Sequence, residues 1–141
     1  MAATYNEAIT FAKMEILERV DGAHVQSILE RHVKPGQSIK SDGLPVFNVV
    51  KTMGHTHSPE VVYPKEGKPN FDALKWVNIL VSNAKAFILG TYHGVQKKHL
   101  QRYLNEFCYR FNRRFWTGQG FDRLLLACAN ANTITYAVLR Q

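Results

Sequence analysis

The chain has 141 residues, the usual size of one domain, and its 45% hydrophobic, 11% aromatic and 21% charged residues are proportions of a protein that folds around a core. This composition excludes a disordered, collagen-like or low-complexity chain, and no apolar run is long enough to span a membrane. The 18 Lys and Arg against 11 Asp and Glu give a net charge of +7, which favours an anionic partner. Because the N-terminus lacks the pattern of a signal peptide, we expect a soluble, cytoplasmic protein.

The first third of the chain predicts a strand, a helix and a second strand. Apolar and polar residues alternate roughly over residues 11–17, which is typical of a strand. Asp21 stands where a helix N-cap is expected, and apolar residues then recur every three or four positions until Pro35. A short strand at residues 38–42 follows and ends at Gly43, where a turn from strand to helix is natural.

The rest of the chain predicts one more strand and then helices. Pro45 is suited to the first turn of a helix that Gly54 would end, and residues 61–63 predict a third short strand. Residues 64–70 form a linker-like loop, and three helices are predicted after it, at residues 71–89, 97–114 and 121–139. The pattern predicts a single α/β domain over residues 1–141, with a short mixed sheet and a helical C-terminal half.

Asp42 is the first candidate functional residue because it lies at the C-terminal end of a predicted strand, where α/β folds place their chemistry. A following glycine allows close approach, as at many Mg²⁺ carboxylates, although Asp-Gly is also an ordinary turn dipeptide. Asn78, Ser82 and Lys85 share one face of the first long helix, either as a functional stripe or as its solvated side.

Two further sets of residues carry weaker signals. The spacing of His55 and His57 would suit metal ligation from a strand, but no third ligand lies beside them. Cys108 and Cys128 lack neighbours at ligand spacing, so we expect them to be buried, reduced thiols.

The positive charge is concentrated in the C-terminal third. Residues 91–141 hold 8 basic and 2 acidic side chains, whereas residues 1–90 hold 10 and 9. In residues 90–114 the cations alternate with aromatic residues, a pattern that suits phosphate contacts beside packed or stacking rings, although the same rings also have core spacing. The predicted phosphate contacts are Lys97, Lys98, Arg102, Arg110, Arg113 and Arg114. A solvated basic face without a partner is the alternative.

The same stretch resembles a known family. Gly-Thr-Tyr-His-Gly at residues 90–94, Lys-His-Leu-Gln-Arg-Tyr-Leu-Asn-Glu-Phe at 98–107 and Tyr-Arg-Phe-Asn-Arg at 109–113 are similar to the C-terminal signature of ISXO-like insertion-sequence transposases. These enzymes belong to the DDE superfamily and have an RNase H-like fold. The resemblance covers residues 10–116 and adds His93 to the expected DNA-binding set.

The resemblance also assigns roles upstream. Residues 36–43 resemble the segment that carries the second catalytic Asp, here Asp42, and residues 54–57 resemble the stretch after it. Trp-Val-Asn at residues 76–78 resembles the third catalytic position, which is Asn in one subgroup, followed by a Lys seven residues on. Asp42 and Asn78 would then hold Mg²⁺, and Lys85 would contact a DNA phosphate near the reaction centre.

The resemblance further implies that the first catalytic Asp, its strand and a zinc ribbon precede the segment present here. Glu15 lies on a strand but, by the resemblance, faces no site. The chain therefore resembles the C-terminal part of an RNase H-like catalytic domain. The predicted strands at Phe11 and Ser38 would lose their neighbours, so they would either pair with each other or keep open edges.

Three functional hypotheses follow. The preferred one is a DNA-binding transposase fragment that binds insertion-element ends and is inactive alone, because it holds one metal carboxylate. The second is a regulatory module that binds DNA, itself or a full-length transposase. The third is a remnant of a broken insertion element with no present role. None of these hypotheses involves a membrane.

Overall fold

Strands occupy the N-terminal half of the protein and long helices the C-terminal half. The computed structural model describes residues 2–5, 8–63, 67–70 and 72–140. The strands and helices are β1 Ala2–Tyr5, β2 Ala8–Ala12, α1 Gly22–His32, β3 Ser38–Ser41, α2 Val49–Thr52, β4 Thr56–Pro59, α3 Lys75–Tyr92, α4 Leu100–Asn112, α5 Gly120–Ala129 and α6 Tyr136–Arg140. Short 3₁₀ turns precede three of the helices, at Pro45–Asn48, Lys97–His99 and Thr117–Gln119. The predicted α/β class, a partial RNase H-like domain with a helical second half, is confirmed.

The four strands form two separate pairs. β1 and β2 are antiparallel, with Ala2 opposite Ala12, and β3 and β4 are parallel, with Ser38 opposite Thr56. The predicted strands at Phe11 and Ser38 therefore do not pair with each other. Of the two arrangements expected for them, the structure has the one with open strand edges.

The first strand lies earlier than the alternating pattern predicted. β2 ends at Ala12, where its register with β1 also ends. From this point on, side chains of α4 form the hydrogen bonds with backbone N–H and C=O groups that a neighbouring strand would otherwise form. The side chain of Asn112 accepts the N–H of Ala12 and donates to the carbonyl of the same residue. The side chain of Gln101 accepts the N–H of Ile16 at 2.8 Å and donates to the carbonyl of Met14 at 3.0 Å. Residues 13–17 are thus held by α4 without being a strand.

The predicted strand at residues 61–63 is also wrong. The strand that pairs with β3 is β4, Thr56–Pro59, and β3 ends at Ser41 opposite Pro59. β3 has no residue beyond Ser41, whose carbonyl accepts the N–H of Glu60 at 2.7 Å, so residues 61–63 have no β3 partner. The Val-Val-Tyr run that suggested a strand there is irregular instead, with a bend at Val62 and Tyr63.

The helices begin and end near the predicted residues. The side chain of Asp21 caps α1 by accepting the N–H of His24 at 2.9 Å, and this hydrogen bond lowers the pKa of the carboxyl. Pro45 opens the 3₁₀ turn that runs into α2. The predicted helix at 71–89 is α3, which begins at Lys75, and Phe71 lies outside the described residues. The predicted helix at 121–139 is wrong as one element, because residues 130–135 interrupt it between α5 and α6.

Two small clusters of buried side chains stabilise the fold. The larger one joins β2, α3 and α4 and contains Ile9, Ala12, Leu80, Ala84, Phe107 and Cys108. The second joins α1 to α2 and contains Val25, Leu29 and Val50. Cys108 is buried as expected, and burial raises the pKa of its thiol, but Cys128 is exposed on α5. None of the helices in the described ranges has the length and apolar character needed to cross a bilayer.

Candidate functional site at the end of the parallel strands

Asp42 lies directly after β3, in a turn that keeps its carboxylate exposed. Its Oδ1 accepts the N–H of Leu44 at 3.2 Å. Gly43 adopts a left-handed conformation with φ of +82°, and a Cβ added there would lie 2.7 Å from Cγ2 of Val61. Only glycine fits this position without strain or displacement. The turn leaves Asp42 Oδ2 available to an external ligand.

A partly buried Ser–His pair lies beside this turn. Ser41 Oγ is 2.8 Å from Nε2 of His57, and the N–H of Gly43 donates to the same hydroxyl at 3.4 Å. His57 therefore contacts the base of the Asp42 turn through Ser41. The ring Nδ1 atoms of His55 and His57 are buried without a partner among the described residues.

Glu60 connects this strand end to α3, and sequence reasoning missed it. Its N–H donates to the carbonyl of Ser41 at 2.7 Å. Its carboxylate accepts Nζ of Lys40 at 2.6 Å and the N–H of Leu74 at 3.2 Å. The hydrogen bond from Lys40, followed by that from Leu74, lowers the pKa of Glu60. In the sequence, the only sign of this role was that Glu60 directly follows Pro59, the residue that ends β4.

Asn78 belongs to the first turn of α3, next to the residues that Glu60 holds. Its Nδ2 donates to the carbonyl of Ala73 at 3.3 Å, and its backbone N–H donates to the carbonyl of Leu74 at 3.0 Å. This arrangement leaves the amide Oδ1 of Asn78 available. Glu60 thus links the residue before Asp42 to the backbone that holds Asn78.

Lys85 lies two helical turns beyond Asn78 on the same face of α3. A seven-residue separation corresponds to a rise of about 10 Å along the helix. Asn78, Ser82 and Lys85 are all exposed. Within the described ranges, no hydrogen bond or ion pair joins Lys85 to Asp42 or to any other residue, so its ammonium is open to solvent.

Asp42 and Asn78 carry oxygen atoms of the kind that divalent cations prefer. Mg²⁺ commonly binds through one or two protein oxygens and keeps several water ligands. The nearby carboxylate of Glu60 is already paired with Lys40. Among the residues that the structure describes, no group of three or more His, Cys, Asp or Glu could hold a metal ion.

Glu15 contacts α1 rather than the candidate site. Its carboxylate lies 2.8 Å from Nε2 of His32, 3.1 Å from Arg31 and 3.9 Å from Lys13. The hydrogen bond with His32 lowers the pKa of Glu15. This role agrees with the expectation that Glu15 faces no site.

Three of the arginines expected to bind DNA make contacts within the protein. Arg114 donates to the carbonyls of Ile9 and Phe111, and its guanidinium lies 3.8 Å from the ring centroid of Phe111. Arg113 stacks over Tyr109 at 3.7 Å. Arg110 forms an ion pair with Glu106 at 2.8 Å and lies on the surface.

The other cations of the expected DNA-binding set are exposed. Lys97 and Lys98 belong to the 3₁₀ turn before α4, and neither forms an ion pair with a described residue. His93 ends α3 in a left-handed conformation with φ of +54°. Arg102 lies on α4, and its guanidinium reaches the carbonyl of Val138 at 3.4 Å. These four side chains form an exposed basic edge around the junction of α3 and α4.

Comparison with known proteins identifies a family. Residues 1–112 match the model of the ISXO2-like transposase domain, a span that ends with α4 and includes Asp42, Asn78 and Lys85. No curated protein and no solved structure matches the sequence significantly. Because the matched span covers most of the 141 residues, the chain belongs to the family of ISXO2-like transposase domains.

Proposed function

We propose that this protein binds duplex DNA in transposition of the DDE type, with Asp42 and Asn78 at the metal-binding end and Lys85 beside the phosphate. Family membership links the chain to DNA transposition and to divalent metal use in general. The observation that supports the finer assignment is the Glu60 bridge, because it ties the backbone next to Asp42 to the first turn of α3.

Each of these residues has a separate chemical task. Asp42 Oδ2 supplies negative charge, and Asn78 Oδ1 supplies a neutral oxygen donor. A divalent cation, when bound there, would steady charge on the phosphate oxygens during in-line displacement. Lys85 would hold a phosphate as a point charge on a flexible stem. With only one carboxylate, the site binds metal weakly, and we expect the chain alone to be inactive.

DNA contacts are assigned to the exposed basic edge, which consists of His93, Lys97, Lys98 and Arg102. These side chains are exposed, whereas Arg113 and Arg114 stack on aromatic rings of their own chain. Lysine and arginine contacts to phosphate carry no base information, so we expect little sequence preference.

The salt dependence of DNA binding tests this assignment. Each phosphate contact contributes about −0.9 to the log–log slope of affinity against salt, so the double variant Lys97→Ala, Lys98→Ala should flatten the slope by about 1.8. The matched control is Lys34→Ala, Lys51→Ala, which removes the same charge from two exposed positions elsewhere. Equal slopes for the two double variants would contradict the assignment.

A second candidate function is regulation of a full-length transposase by a non-catalytic chain. Two observations favour it: the described residues contain no group of three or more His, Cys, Asp or Glu that could hold a metal ion, and Glu60 is paired with Lys40. Added to a transposition reaction that contains full-length enzyme, the protein should then inhibit in proportion to its concentration. A reaction unaffected by excess protein would reject this function.

A further inference from the structure

The protein exposes more surface than a folded monomer of its size. Its accessible surface is 10849 Å², whereas a compact monomer of this mass exposes about 7,400 Å². The excess is about 3,400 Å², several times the roughly 800 Å² that each partner buries in a stable protein–protein interface. Uncovered surface of this size is large enough for contacts with another chain.

Many of the exposed large hydrophobic side chains lie in the segment that follows the family match. We call residues 115–138 the C-terminal arm. Every side chain described from residue 118 to residue 138 is exposed, so α5 is bare on all sides. Phe121 is 72% exposed, Leu126 65% and Tyr136 77%. Apart from the 3₁₀ turn that precedes it, no element of the described structure packs extensively against α5.

The arm has enough apolar area for an interface. An aromatic side chain carries about 150–250 Å², so Phe115, Trp116, Phe121 and Tyr136 alone expose about 500 Å². Five aliphatic residues add to this area: Leu124, Leu125, Leu126, Ile134 and Val138. The largest exposed apolar patch on a typical monomer is about 300–600 Å². Summed over these nine residues, the exposed apolar area of the arm exceeds that of the largest single patch on a typical monomer.

The spacing of apolar residues and the net charge of the arm indicate what kind of partner it binds. Phe121, Leu124, Leu125 and Cys128 follow the i, i+3, i+4, i+7 spacing of a helix that packs along one stripe. Asp122 and Arg123 are the only charged residues of the arm, so it is neutral in a chain of net charge +7. A neutral arm lacks the cationic face that binds phosphates or anionic lipid, and two copies of it do not repel each other.

We propose that the C-terminal arm is a self-association surface, with the α5 stripe of one copy packed against the same stripe of a second copy. The contact is isologous, so the two copies are related by a twofold axis. The basic edge at Lys97 and Lys98 stays outside the contact, because juxtaposing two such edges would bring like charges together.

Sedimentation equilibrium of the full chain over a concentration series tests the proposal. We expect a monomer–dimer equilibrium whose dissociation constant rises at least about tenfold in the double variant Leu124→Glu, Leu125→Glu. The matched control is Val20→Glu, which adds charge at a 64% exposed apolar residue outside the arm and should leave the dimer intact. Circular dichroism establishes that each variant is folded, and a second variant, Phe121→Ala, tests the stripe without adding charge.

Two results would overturn the proposal. The first is a monomer at all concentrations, which would mean that another partner or another segment covers the arm. The second is a dimer that Val20→Glu weakens as much as the arm variants do. Co-sedimentation of the monomer with vesicles of anionic lipid would identify a membrane surface as the partner instead.

Discussion

The carboxylate of Glu60 accepts the backbone N–H of Leu74 at 3.2 Å, immediately before α3 begins. Leu74 has φ of +50°, a left-handed conformation that costs a branched residue about 1–2 kcal/mol. The same carboxylate pairs with Lys40 next to the Asp42 turn. One side chain therefore stabilises an unfavourable backbone conformation just before α3 and connects the helix to the strand end.

Replacing Glu60 tests this connection. In Glu60→Ala the N–H of Leu74 loses its acceptor, so we expect its hydrogen-exchange protection to fall by about 1 kcal/mol. Glu60→Gln keeps one acceptor oxygen and should retain part of the protection. The control is Glu30→Ala, which removes an exposed carboxylate from α1. Unchanged exchange at Leu74 in the alanine variant would show that the bridge does not hold α3.

The same carboxylate makes stability depend on pH. The pKa of Glu60 is lowered from its ordinary value of 4.5 by Lys40 and the Leu74 N–H. The ionised carboxylate of Glu60 therefore contributes fully to the free energy of unfolding above that pH, and this contribution is lost as the pH falls through the lower pKa of the folded state. Urea unfolding of the wild type should show a decrease in the free energy of unfolding on acidification below 4.5. Glu60→Gln should lose less, and the remaining loss is attributable to Glu15 and Asp21, whose pKa values are also lowered.

Gly43 and Gly36 form a matched pair of left-handed glycines. Their φ angles are +82° and +77°, but an added Cβ meets Val61 at 2.7 Å only at Gly43, and nothing lies within 4 Å at Gly36. Gly36→Ala should cost about 1 kcal/mol, whereas Gly43→Ala should cost about 1–3 kcal/mol more. Adding Val61→Ala should recover part of that excess. Chemical unfolding of the wild type and these three variants measures the costs, and equal costs for both glycines would rule out the contact.

Local sequence signals predicted the parts of the fold that depend on local interactions. The Asp21 cap, the Pro35–Gly36 stop and the Pro45 turn act within a few residues, and α1 and the turn before α2 lie where these signals placed them. Strand positions depended on distant partners. Asn112 and Gln101, which lie 100 and 85 positions from Ala12 and Ile16 along the chain, determine how residues 12–16 are held.

In the candidate site too, residues with a local setting could be predicted from the sequence, whereas residues with distant partners could not. Asp42 at a strand end and Asn78 on a helix could be selected from the sequence, because their setting is local. Glu60 could not, since its role depends on Lys40 and Leu74, which lie 20 residues before it and 14 after it. The contacts of Arg113 and Arg114 with rings one turn away were compatible with the spacing, but a basic run gives no sign of which cations face solvent.

Purified protein should show no DNA cleavage or strand transfer with Mg²⁺ or Mn²⁺. One carboxylate and one amide hold two divalent ions poorly, and the described residues contain no larger ligand group. The measurement is a nicking assay on supercoiled plasmid, with Asp42→Ala as the control for contaminating nuclease. Metal-dependent nicking that Asp42→Ala abolishes would mean that another acid completes the site, and Glu60 and Glu15 would be tested next.

Arg114 distinguishes a structural cation from a DNA contact. Arg114→Ala removes donors to the carbonyls of Ile9 and Phe111 and a guanidinium that stacks at 3.8 Å on Phe111, so we expect a loss of about 1–3 kcal/mol of stability. Arg114→Lys should restore little, because an ammonium lacks the planar guanidinium face that stacks on the ring while its N–H groups bond the carbonyls. Arg110→Ala, which breaks a surface ion pair with Glu106 and a guanidinium–ring contact of 5.7 Å with Phe87, should cost at most about 1 kcal/mol.

The DNA-binding slope of the same variant completes this prediction. If Arg114 holds β2 against the end of α4, Arg114→Ala should leave the log–log salt slope unchanged under conditions where the variant is folded. A slope flattened by about 0.9, with stability preserved, would instead place its guanidinium on a phosphate, as the basic run of the sequence first predicted. Chemical unfolding and fluorescence anisotropy on one preparation separate these outcomes, because the structural role lowers stability and the DNA contact lowers the slope.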